Sequence, residues 1–180
     1  MAVTIVPAPA TARVIDPQCG WLDDVLAGLA AGVVACASPG VADEVPDAVR
    51  VERMARLEKI KSAAAALQMA ESVRFAQSQA AVHLAADVHP DKIGRGIADQ
   101  LGLACRISGF EAARRLGVAR ALWFDLPRTY RLLVVGEISQ HVASLVVTET
   151  RHLDARTRRD VDAKITTAGI SQMGPRSAAT

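Results

Sequence analysis

The sequence predicts an all-α protein, one long helix packed with several shorter helices in an irregular helical bundle, and three observations carry that expectation. Only six of the 180 residues are aromatic (Trp21, Phe75, Phe110, Trp123, Phe124 and Tyr130), so alanine, valine and leucine supply most of the 51% apolar content and favour helices packed closely through small side chains. From Val49 to Ala86 neither proline nor glycine interrupts the chain, which is how a long helix reads. Beyond it, Ser108, Ser139 and Asp154 each precede a run of helical pattern, in the position where a short polar side chain caps free N–H groups. A chain of 180 residues can hold one domain with a proper core, or a smaller core with tails, and its apolar fraction excludes wholesale disorder.

Taken in order, residues 1–48 read as a loose arm with one short helix. Prolines at 7, 9 and 17 open it, and "WLDDVLAGLAAGVVA" supplies a helix from about Trp21 to Ala35. The stretch "VLAGLAAGVVACAS" at 25–38 looks like a lipoprotein export signal ending at Cys36. The preceding segment, however, sets Arg13 against Asp16, Asp23 and Asp24 where such a signal requires net positive charge. A cytoplasmic chain with no membrane partner is therefore expected. After the loop "ASPGVADEVPDA", the long helix from about Val49 to Ala86 places Leu57, Ile60, Ala64 and Leu67 on one seam, then Met69, Val73, Ala76, Ala80 and Leu84 on another. That drift predicts a core helix covered on two sides rather than a dimeric coiled coil. Its early charges include Glu52 and Arg56 four apart, a pairing that supports the helix.

"ADVHPDKIGRG" then breaks the helix, and "IADQLGLACR" forms a shorter one. In "RISGFEAARRLGVARAL" the Ser108–Glu111 spacing matches a capping box, in which each side chain satisfies the other's backbone N–H, and the helix runs from Gly109 to about Phe124. Leu126 is pushed out of helical geometry by Pro127, which can open the next helix, and Gly136 can close that helix, 127–135, as a left-handed cap. Ser139 and Asp154 cap helices of about 140–151 and 155–168. The folded domain is thus expected over 49–168, with 169–180 a disordered or truncated tail. One ambiguity remains in the residues themselves, because "RLLVVGEISQHVASLVVTET" is rich in β-branched side chains and reads equally as strand, turn and strand.

The net charge of +2 conceals an asymmetry: residues 1–49 carry −5, 50–91 carry +1, 92–131 carry +5 and 132–180 carry +1. The basic excess makes Arg114, Arg115, Arg128 and Arg131 candidate contacts to DNA phosphates. On a helical wheel Ala112, Ala113, Leu116, Gly117, Trp123, Phe124 and Phe110 share an apolar face, with Arg114 and Arg115 opposite. Arg120 falls within that face, so it is expected to be buried and paired with Asp125 or Glu137. A helix-turn-helix needs a small residue, a turn glycine four residues on, and an apolar residue about six further. Ala98 and Gly102 meet the first two conditions, but the third falls on Ser108, and in that register the pattern fails.

Three distant cysteines (Cys19, Cys36, Cys105) outline no disulfide framework or metal knuckle, and four histidines (His83, His89, His141, His152) show no paired-ligand spacing. No metal, cofactor or small-molecule substrate is expected. Six aromatics are too few to suggest a stacking platform for single strands.

Four phrases, "GRGIADQLGLACRIS", "AARRLGVARALWFDLP", "GEISQHVASLVVTETRHLD" and "RRDVDAKI", resemble in their order and spacing the N-terminal domain of the actinobacterial 13E12 repeat family, known as domain of unknown function 222. The likeness covers about residues 50–168. It implies an all-helical domain, which favours helices over strands at 131–150, and relatives that continue into a C-terminal HNH nuclease motif. An HNH centre requires a general-base histidine and metal ligands on one small finger. Nothing after His152 supplies them, so no nuclease residue carries over and no catalysis is expected. The resemblance implies a non-catalytic accessory domain of an HNH-endonuclease-like protein that positions duplex DNA. The rival is a purely structural interaction or dimerisation module, the remnant of a truncated gene. Ile170 and Met173 beyond the last helix, together with Trp21, Val25, Leu26 and Leu29, suggest apolar surface that a homodimer would cover.

Overall fold

A computed structural model describes residues 19–37 and 45–170. Seven α-helices occur among them: α1 (Gly20–Ala37), α2 (Asp47–Ala85), α3 (Ile97–Cys105), α4 (Gly109–Phe124), α5 (Pro127–Val134), α6 (Gln140–Thr150) and α7 (Ala155–Thr167). A single 3-10 turn, Pro90–Lys92, lies between α2 and α3. No strand is present among the described residues, so the β-branched stretch 131–150 forms the end of α5, a turn and α6.

The chain divides into two compact units, Met1–Val51 and Glu52–Thr180, with the boundary inside α2. In the first unit, α1 buries no residue and leaves Trp21, Leu26, Val33 and Val34 more than half exposed. Among the described residues α1 alone is long and apolar enough to cross a membrane by length and composition, with a mean hydropathy of 1.5 over 18 residues. The rest of the expected arm lies largely outside the described residues.

The second unit is built on the middle of α2. Its buried stripe is Ser62, Ala66, Met69, Ala70, Val73 and Ala76, a set at helical spacing along a single face. The expectation of cover on two sides is therefore corrected. Leu57 and Ile60 are exposed at 45% and 43%, Ala64 is exposed, and Leu84 is 64% exposed. Apolar character does not select the covered face here, because a serine can be buried on it: the Ser62 hydroxyl donates to the Glu58 carbonyl at 2.9 Å and leaves nothing unsatisfied. Opposite the stripe lie Leu116, Ala119 and Leu122 of α4, Leu133 of α5, and Val142, Ala143 and Val146 of α6. Ile170 is also buried in this core. The folded unit therefore reaches two residues past the expected boundary at 168.

Helix ends follow the local chemistry. Ser139 Oγ accepts from Val142 N at 3.3 Å, and Asp154 Oδ1 accepts from Arg156 N at 2.9 Å and Thr157 N at 3.0 Å. Gly136 takes the left-handed conformation (φ 69°) after α5, where a side chain would stand 2.8 Å from Lys59 Cα. That close approach, as much as the backbone angle, demands glycine. The start of α5 is satisfied differently. Leu126 offers no side-chain cap, and the buried carboxylate of Asp162 on α7 accepts from Arg128 N at 2.8 Å, Thr129 N at 2.9 Å and Thr129 Oγ1 at 2.6 Å. Arg158, also on α7, ties α4 to α6: Nη1 donates to Asp125 Oδ2 (3.1 Å), Nε to the Thr150 carbonyl (3.0 Å) and Nη2 to the Arg151 carbonyl (2.9 Å).

Candidate nucleic-acid interface

The basic stretch folds as the corner between α3 and α4. α3 ends in a Schellman motif: Arg106 is left-handed (φ 55°, ψ 44°), Ile107 N donates to the Gly102 carbonyl at 2.9 Å, and Arg106 N to the Leu103 carbonyl at 3.3 Å. Ser108 then begins α4, its hydroxyl accepting from Glu111 N at 3.1 Å. The two helices touch closely at glycines. A methyl group on Gly102 would stand 2.9 Å from the Ile107 carbonyl oxygen and 3.3 Å from Gly109 N, and one on Gly109 would run into the Asp99 carboxylate.

This geometry corrects the register read from the sequence. α3 continues through Gly102 instead of turning there. The small residue is Gly102, the left-handed turn residue is Arg106 four positions on, and the locking apolar residue is Ala112 six further, 3% exposed. The helix-turn-helix spacing is met four residues later than expected. Its signal was hidden because an arginine, rather than a glycine, occupies the left-handed position.

α4 is also rotated relative to the expected face. It buries Ala112, Leu116, Ala119, Ala121 and Leu122, while Phe110 is 84% and Phe124 48% exposed. Residues as small as Ala112 and Ala119 suit a side drawn close to its neighbours by the glycine contact, whereas a phenylalanine there would hold the helices apart. Arg120 consequently lies exposed on the outer side with Phe110, Ala113, Arg114, Gly117 and Phe124. It is not the buried cation expected: the guanidinium on Asp125 belongs to Arg158, with both side chains mostly covered (16% and 21% exposed).

Of the four candidate phosphate contacts, Arg114 and Arg115 meet on one acid. Arg114 donates through Nε and Nη2 to the two Glu111 oxygens at 2.8 Å each, and Arg115 Nε donates to Oε1 at 2.9 Å. Only the serine half of the expected capping box forms, since the Glu111 carboxylate turns to these guanidiniums. The hydrogen bond from Arg114, then that from Arg115, lowers the Glu111 pKa from 4.5 to about 2, and Glu111 in turn raises that of Arg114. Arg128 and Arg131 are exposed on α5, and neither guanidinium takes a hydrogen bond or ion pair among the described residues.

The remaining polar groups have structural duties. His83 Nδ1 accepts from Gly94 N at 3.0 Å and pins the loop after α2 to that helix, and Tyr130 Oη donates to the Ala66 carbonyl at 2.8 Å. Burial raises the Tyr130 pKa, partly offset by the positive charge of Arg74. Among the described residues no three His, Cys, Asp or Glu side chains gather as metal ligands, and the cysteines are free. A small, shallow cleft opens beside Gln68, Leu101, Cys105 and Arg115. Across it Gln68 Nε2 donates to Cys105 Sγ at 3.6 Å.

Compared with protein-family models, curated proteins and solved structures, the chain matches none of them. The likeness to the 13E12 repeat family accordingly rests on its own sequence phrases.

Proposed function

We propose that the second unit is a non-catalytic, cytoplasmic helical module that holds duplex DNA by its phosphates, as an accessory domain of the 13E12 repeat, HNH-endonuclease-like kind. The observation that carries this reading is the α3–α4 corner, a helix-turn-helix spacing whose outer surface bears Arg106, Arg114, Arg115 and Arg120 against only Asp99 and Glu111. Arg128 and Arg131 on α5 add two unneutralised cations. Contacts of this kind neutralise phosphates and fix orientation without reading sequence.

The rival reading, a purely structural interaction module, is favoured by a specific observation as well. Glu111 already engages both Arg114 and Arg115, so DNA must compete with an intramolecular carboxylate for them.

Fluorescence anisotropy with a labelled 30-base-pair duplex, titrated across a range of salt, decides between the two. The DNA reading expects log K to fall with log salt at a slope of about −2 to −4. The double variant Arg128→Gln/Arg131→Gln should reduce that slope by about 2 units. No binding at the lowest salt leaves the structural reading. The same preparation, incubated with supercoiled plasmid and Mg²⁺, Mn²⁺ or Zn²⁺, is expected to leave the plasmid unnicked.

A further inference from the structure

Resting on that reading, we infer that α4 enters the major groove of duplex DNA and reads base edges there, with Phe110 and Arg114 as the specificity-determining side chains. Backbone-only binding would need cations at the surface and nothing more. The corner between α3 and α4 provides additional order. The Schellman turn at Arg106, the Ser108 cap and the glycine contact at Gly102 fix α4 on α3 in the spacing of a helix-turn-helix. In such a pair the first turns of the second helix carry the groove-facing residues.

Those turns are built unevenly. Ala112 and Leu116 hold the inner side at 3% and 7% exposure, while the outer side presents Phe110, Ala113, Arg114 and Gly117, all exposed. A major groove about 12 Å wide admits one helix, and short outer side chains let that helix sit deep. Ala113 and Gly117 are short, and the space beyond Gly117 is open, with nothing within 4 Å of where a side chain would begin. Phe110, 84% exposed, makes no structural use of its ring and offers an apolar contact to a thymine methyl.

Arg114 supplies the planar donor fork that matches guanine O6 and N7. In the free protein this fork is bidentate on Glu111, two bonds at 2.8 Å to the residue three positions before it on the same helix. Glu111 also engages Arg115, so it keeps one cationic partner when Arg114 is handed to a base. Arg106 and Arg120, at the two ends of this surface, fall where phosphates flank the groove. Charge complementarity favours duplex DNA over an acidic protein here because the cations bracket a narrow apolar strip instead of forming a patch.

The test is a selection from a pool of duplexes with a 20-base-pair random segment, retained on the full chain at a salt concentration where bulk binding persists. The expected result is an enriched sequence element containing guanine and thymine. Phe110→Ala should lower discrimination for it by roughly tenfold to a hundredfold while leaving binding to the unselected pool nearly intact, and Arg114→Gln should lower discrimination by a similar factor over and above a modest, sequence-independent loss of pool binding. Both side chains are exposed, and circular dichroism of each variant confirms that the fold is kept. Replacing thymine by uracil in the selected duplex removes the methyl group and should reproduce the Phe110→Ala loss. Retention of the pool without enrichment, or enrichment that survives both substitutions, overturns the assignment of α4 and leaves phosphate binding standing. Failure to retain any duplex at low salt, or retention of single strands alone, overturns both proposals.

Discussion

Glu111 shows how one carboxylate can set the charge that a whole surface presents. By holding Arg114 and Arg115 it leaves a net single positive charge where the sequence displays two. Glu111→Gln is expected to release both guanidiniums, raise affinity for a 30-base-pair duplex about two- to fivefold and steepen the salt slope by about 1. Glutamine is tolerated at this position of a capped helix, so helicity should be unchanged. The same residue has a defined pH signature. Its pKa is depressed in the folded protein to about 2 from 4.5, so its stabilising contribution is fully present above about pH 4.5 and disappears as pH falls through about 2. The stability difference between wild type and Glu111→Gln should shrink across that window, as urea titrations at stepped pH will measure. Arg106 belongs to the same scale. A non-glycine residue at φ 55° is strained, and Arg106→Gly is expected to stabilise the protein by about 1 kcal/mol in urea melts while removing one turn cation.

Individual helices were largely legible in the sequence, because their limits are set by neighbours along the chain. Ser108, Ser139, Asp154, Pro127 and Gly136 all act where their spacing placed them. The candidate site was legible only in part. Arg114 and Arg115 do lie on the outer side of α4, but reading them as phosphate contacts overlooks Glu111, which stands three and four residues before them; Arg120 falls on the other side from the one expected because apolar residues outnumber buried ones on α4. The helix-turn-helix register escaped because Arg106 adopts a conformation that its residue type seldom signals. Asp162 escaped for a different reason: it serves the first turn of a helix far earlier in the chain, Arg128 standing 34 residues before it. That service is expected to be large. Asp162→Ala would leave two backbone donors and the Thr129 hydroxyl buried without acceptors, a loss of about 2–4 kcal/mol. Asp154→Ala removes an exposed cap and should cost about 1 kcal/mol. Paired urea melts of the two variants test that order.

At the scale of the whole molecule, apolar side chains are left facing outward in both units. α1 exposes Trp21, Leu22, Val25, Leu26 and Leu29, and α2 exposes Met54, Leu57 and Ile60 ahead of its buried stripe. Water-exposed apolar surface of this kind favours association, and a two-fold pair of copies is the simplest closed form. Sedimentation at tens of micromolar is therefore expected to show a dimer. A monomer that melts cooperatively at the same concentration would refute the expectation.

The tie between α7 and the start of α5 also bears on how the chain is made. During synthesis α5 emerges well before Asp162, and a segment of 8 residues is too short to persist as a helix alone. Until α7 has left the ribosome and docked, the first turn of α5 has only water as acceptor for its N–H groups, and its burial of Leu133 is unsupported. α7 is thus a keystone in time as well as in space. The nascent chain can nucleate α2, α3 and α4 early, through neighbours in sequence, yet it remains open at α5 until α7 is translated.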